Sequence, residues 1–200
     1  MSRCSTVSQY RKDVTNGAAE VRELCFDISR LRLNPKLYGV SDFVYSLVNH
    51  SETERLLLYE RTIRYAEFPL LDSKVDDKEA FADNTYLAVQ HTEVFDILDW
   101  LRDKKKVQSI IELTVPDRLV NPHDEEGIAE YVEKFDVKHL NWKCLDLSLS
   151  VFTLAIRKKI VELHLYSSGK RAVIDHWLGS DGILTLPQAS HNSSMFLKLC

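Results

Sequence analysis

Three apolar runs repeat one spacing, apolar-x-x-apolar-x-apolar. They are Ile110, Leu113 and Val115; Val137, Leu140 and Trp142; and Ile160, Leu163 and Leu165. The starts at positions 110, 137 and 160 lie 27 and then 23 residues apart. Polar residues fill the places between the last two apolar positions of each run. Alternation of this kind predicts half-buried strands. A strand, a return segment and another strand at that interval describe a βαβ unit or an early solenoid. Strands covered on both faces read as continuous apolar runs. The alternating polar positions therefore favour a leucine-rich-repeat-like layer of parallel strands over the runner-up, a doubly wound three-layer sheet.

Helical spacing dominates elsewhere. Val21, Leu24, Cys25, Ile28 and Leu31 predict a helix over 18–31, stopped by Asn34-Pro35. Ser41 caps a short helix carrying Phe43, Leu47 and Val48. Ser51-Glu52-Thr53-Glu54 has the form of a capping box, and a helix is predicted from it through Leu56, Leu57, Tyr59 and Ile63. Thr92 opens a helix with Val94, Phe95, Leu98 and Leu101 on one face, and Lys104–Lys106 complements its negative end. Before the second strand, Asn121 suits a helix N-cap and Pro122 the first helical position, with Ile128, Val132 and Phe135 as the buried stripe. Leu145–Ile156 returns to the third strand. Tyr166-Ser167-Ser168-Gly169 is a turn, and a last helix with Val173, Ile174 and Trp177 ends at Gly179.

The fold class is therefore α/β. An N-terminal helical segment, 1–66, precedes an acidic linker, 67–90, and a repeat-like domain, 91–200, whose C-terminal end reads as truncated. The linker carries Asp72, Asp76, Asp77, Glu79 and Asp83 without sustained periodicity. Ile183, Leu184, Leu186 and then Met195–Leu199 leave an apolar C-terminal edge without a charged cap. Solenoid ends need polar caps, so a protein partner or a second copy of the chain is expected to dock there.

Composition narrows the classes further. The net charge of -4 gives no electrostatic drive toward nucleic acid. No apolar run reaches the roughly 20 residues that span a bilayer. No signal-peptide core opens the chain, and Cys4, Cys25, Cys144 and Cys200 form no close pair. A cytoplasmic location is expected. Gly-x-Ser-x-Gly, the glycine-rich phosphate loops, Cys-x-x-Cys and His-Glu-x-x-His are all absent. No catalytic residue, cofactor or metal is assigned.

Several motifs resemble a known family. They are Asn121-Pro122-His123-Asp124-Glu125-Glu126, Leu140-Asn141-Trp142-Lys143-Cys144-Leu145-Asp146-Leu147, His164-Leu165-Tyr166-Ser167-Ser168-Gly169, and His176-Trp177-Leu178-Gly179-Ser180-Asp181-Gly182. In this order they resemble the region that precedes the subtilisin-like serine protease domain of large fungal proteins. The resemblance spans roughly Thr92–Pro187, with a weaker echo at Tyr65–Pro69. It implies an intracellular accessory segment with a protease domain as neighbour. It transfers no catalytic residue, because no His-Gly pair and no Gly-Thr-Ser exists in the chain.

One constellation is a candidate interaction face. With the three strands parallel and in register, Glu112, His139 and Glu162 form one row, and Thr114, Asn141 and His164 the next. Neighbouring strands sit about 4.8 Å apart, close enough for a histidine to pair with carboxylates. The favoured reading is the polar, solvent-facing side of a solenoid sheet in a non-catalytic interaction module. The alternative is a hydrolytic or metal-dependent site on the same face.

Overall fold

The computed structural model describes residues 25–28, 40–49, 61–71, 92–118, 121–186 and 195–199. For residues 40, 41 and 195–199 the description covers the backbone alone. Among the described residues six strands form one sheet in sequential order: β1 (Cys25–Asp27), β2 (Thr62–Glu67), β3 (Ser109–Val115), β4 (His139–Trp142), β5 (Glu162–Ser167) and β6 (Met195–Leu199). Every neighbouring pair is parallel. The described α-helices are α1 (Val40–Asn49), α2 (Glu93–Asp103), α3 (Glu125–Lys134), α4 (Leu154–Arg157) and α5 (Arg171–Leu178). The fold is α/β with a repeat-like layer. Sequential order without a reversal is solenoid topology, and it sets aside the doubly wound alternative, whose strand order reverses.

The repeated spacing explains the register. Leu113 pairs with Leu140, and Leu140 with Leu163. These residues, with Val115, Trp142 and Leu165, enter one core with Val94, Ile97, Leu98 and Leu101 of α2 and Ile128 and Val132 of α3. Slipping β4 by one residue would expose Leu140 and Trp142 and turn His139 and Asn141 inward. Each large apolar side chain gains roughly 1.5–3 kcal/mol from burial, so the hydrophobic term alone fixes the pairing.

Two elements differ from the helical expectation. Cys25–Asp27 lies within the helix predicted over 18–31, yet it is β1, and its Phe26 is buried with Ile28 just beyond. Thr62–Glu67 includes the end of the helix predicted to run through Ile63, yet it is β2, paired with β3 from Ile63↔Ile110 to Glu67↔Thr114. Ile63, Ala66 and Phe68 are fully buried. They repeat the apolar-x-x-apolar-x-apolar spacing, with alanine weakening the middle position. Pairing with a neighbouring strand overrides the local helical pattern here. The remainder of both predicted helices and residues 72–91 of the linker region lie outside the described residues.

The cap of α3 is also displaced. Asn121 has φ 54° and cannot start a helix. Asp124 is the N-cap instead, its carboxylate accepting from the Gly127 amide at 2.8 Å. Between β4 and β5 the return is short and irregular, with a single 3₁₀ turn at Leu149–Val151 before α4. The C-terminal side is pinned by buried polar bonds. Trp177 Nε1 donates to the Leu147 carbonyl at 2.8 Å. The buried Arg157 guanidinium donates to the Phe152 and Asp181 carbonyls at 2.8 and 2.7 Å and to Thr185 Oγ1 at 2.9 Å. Gly182 permits that closure, because a Cβ there would lie 2.0 Å from the Trp177 carbonyl oxygen. Among the described residues no helix is long and apolar enough to cross a membrane.

Candidate functional site

The helices and the core occupy one face of the sheet, and the other face carries the polar rows. Both predicted rows form. Glu112 pairs with His139, His139 with Glu162, and Thr114 with Asn141. The register places Asn141 beside His164. The rows also extend onto β1 and β2, which bring Cys25 and Tyr65 into the first row and Asp27 and Glu67 into the second.

Glu162 is the centre of the face. Its two carboxylate oxygens accept from two histidines, His139 Nδ1 at 3.0 Å and His164 Nε2 at 2.8 Å. An ionised carboxylate only accepts, so each imidazole places its proton on the nitrogen facing Glu162. Burial acts to raise the Glu162 carboxyl. The bonds from His164 and His139 outweigh it and hold the group below the usual carboxylate range. Asn141 Oδ1 accepts from the Tyr166 hydroxyl at 2.7 Å. On β2 the Tyr65 hydroxyl donates to Glu67. Burial, then that bond and the charge of Glu67, push the Tyr65 phenol up. Glu112 stands beside His139 in register without a hydrogen bond to it, and Thr114 is almost fully covered. The sheet thus brings together His139, Glu162 and His164 as one bonded triplet and sets Glu112 and Thr114 apart from it. Tyr65, Glu67 and Tyr166 were not foreseen in the sequence. The signal for the first two was the spacing Ile63, Ala66, Phe68.

The triplet is a hydrogen-bonded, partly exposed patch. Its carboxylate is occupied on both oxygens, which suits a recognition surface better than a metal centre. Among the described residues no three histidine, cysteine, aspartate or glutamate side chains group as a metal-binding set.

A second polar cluster lies within the core side, at the ends of β3 and β4. The fully covered Asp117 carboxylate accepts from the His123 ring Nδ1 at 2.9 Å and from the amides of Arg118 and His123 at 2.7 and 3.1 Å. His123 packs edge-on against Phe95 and Trp142. Cys144 is buried beside it, and burial followed by the charges of Asp117 and Glu125 pushes its thiol up. A thiol held protonated is a poor nucleophile. The cluster fixes the chain path from β3 into α3.

No protein-family model matches the chain, and no curated protein or solved structure is similar to it.

Proposed function

We propose that this chain is a non-catalytic interaction module that receives a protein partner on the polar face of its sheet. The observation that carries the reading is the continuous pair of polar rows across β2, β3, β4 and β5, opposite the face that the helices cover. Tyr65 and Tyr166 supply amphipathic contact area of the kind enriched at recognition surfaces, and Asn141 adaptable hydrogen bonding. β6 ends the sheet among the described strands, and an edge strand is a second place for a partner strand to add. A second copy of the chain suits the same edge. The resemblance of residues 92–187 to the region preceding subtilisin-like proteases makes a protease domain the partner we propose.

The test is a selection of displayed peptides against the whole protein, with counter-selection on a variant carrying Glu112→Arg, His139→Ala and Asn141→Arg. These positions are partly exposed, so the variant is expected to fold. Peptides that bind the wild type and lose the variant support the module. Turnover of ester or peptide substrates that Glu162→Gln abolishes would overturn it in favour of an acid–base site on the same face.

A further inference from the structure

On the helix side, away from the polar rows, α1 and α2 enclose a cleft of about 490 Å³. Its apolar lining is Val44, Val48 and Trp100, with Tyr45 beside them. Tyr45, in the same lining, is 70% exposed. Four carboxylates of α2 also line the cleft: Glu93, Asp96, Asp99 and Asp103. They follow one another at spacings of three, three and four residues, so they form one stripe along the helix. Among the described residues, Lys104 is the one cation in the lining.

Like charges at these spacings repel and weaken a helix. The chain relieves the stripe only in part. Asp99 bonds Tyr131 and lies 3.9 Å from the Lys134 ammonium. Asp96 and Asp103 make no ion pair among the described residues. Burial raises the Asp96 carboxyl, the Thr92 hydroxyl opposes that, and Glu93 and Asp99 add to the rise.

We propose that the cleft between α1 and α2 binds a cationic amphipathic helix of a protein partner. Its apolar face would lie on Val44, Val48, Trp100 and Tyr45, and its lysines or arginines along Asp96, Asp99 and Asp103, Glu93 being buried. Helix-in-groove recognition needs these two elements, an apolar floor and a rim of complementary charge. The cleft volume falls in the range of formed binding sites, about 300–1,000 Å³. The inference is independent of the polar sheet face.

The probe is a synthetic helix with leucine on one side and lysine on the other, titrated into the whole protein by calorimetry. It is expected to bind, and to bind less tightly as salt rises. A matched peptide with glutamate for lysine is expected not to bind. The double variant Asp96→Lys with Asp103→Lys should weaken the lysine peptide by about tenfold or more and gain the glutamate peptide. Both sites are exposed, and circular dichroism will show whether the fold is kept. Tyr45→Ala, at a solvent-facing ring, should weaken binding independently of charge. Glu112→Arg, on the sheet face, should leave it unchanged. Equal binding of the lysine peptide by wild type and double variant would overturn the proposal. So would equal binding of a lysine peptide without leucines. Self-association that the double variant abolishes would place a second copy in the cleft and overturn the heterologous reading.

Discussion

Asp117 shows how a single side chain acts beyond its surroundings. Burial works to raise its carboxyl, and the bonds from His123 and the Arg118 amide outweigh burial, leaving it below the usual range. Removing one partner of a buried charged pair costs roughly 3–5 kcal/mol. Asp117→Asn keeps one acceptor oxygen and is expected to cost roughly 3 kcal/mol, read from the urea midpoint. The sign of the pH effect follows from the direction of the shift. A depressed native pKa contributes stability above the unfolded value, about 3.9 for aspartate. That contribution is lost as pH falls through the lower native value. The gap between wild type and Asp117→Asn is therefore expected to shrink on acidification below about pH 4. A gap that stays constant down to the native value would show that Asp117 acts through packing alone. None of this was legible in the sequence. Val115-Pro116-Asp117 looks like a strand end, and only the folded loop brings His123 back to it.

At the scale of elements, legibility followed the strength of the local pattern. β3, β4 and β5 were readable because large apolar residues occupy every position of the repeat, and the polar rows followed from their register. β2 was obscured by Ala66 in the middle position and by a capping box upstream. β1 was obscured because Cys25 and Ile28 also satisfy helical spacing, while Phe26 and Ile28 together satisfy strand spacing. Both strands gain their identity from hydrogen bonds to a neighbour, which local periodicity does not contain. The Ile28 amide donates to the Glu67 carbonyl at 2.9 Å and the Phe68 amide to the Thr114 carbonyl at 3.0 Å. The start of α3 was misplaced for a different reason. Asn121-Pro122 has the composition of a cap, but Asp124 holds the free amide of Gly127. An N-cap aspartate replaced by alanine loses about 1 kcal/mol. Asp124→Ala is expected to lose that amount in chemical denaturation, whereas Asn121→Ala is expected to destabilise through backbone strain at a left-handed φ instead. Asn121→Gly would separate the two roles. A glycine there should remove the strain and cost less than Asp124→Ala, and a loss equal to that of Asp124→Ala would return the cap to Asn121.

The whole molecule is a row of units, each touching its neighbours. β3 is flanked by β2 and β4, and β4 by β3 and β5. Among the described strands β1 and β6 are each paired on one side, and β1 is three residues long. In such an array stability approximates a sum of unit terms and nearest-neighbour interfaces. Opening an end unit breaks one interface, while opening an interior unit breaks two. The interior ladder is continuous: Ile110 donates to Phe135, Lys138 to Ile111 and Val161 to Lys138. The fully buried Trp142 and Leu163 join it to the helices. Arg157 ties α4 to the segment around Asp181 and Thr185, which extends protection toward β5. Native-state hydrogen exchange is therefore expected to show a gradient. Amides of β3, β4 and β5 should exchange through global unfolding. Those of β1 and β6 should exchange by local opening, at free energies lower by a few kcal/mol. Raising denaturant should bring the amides of β1 and β6 onto the exchange behaviour of the interior strands, as global unfolding overtakes local opening. Amides of all six strands exchanging at one common rate at every denaturant concentration would show instead that the sheet opens as a single unit, and the one-dimensional description would then fail.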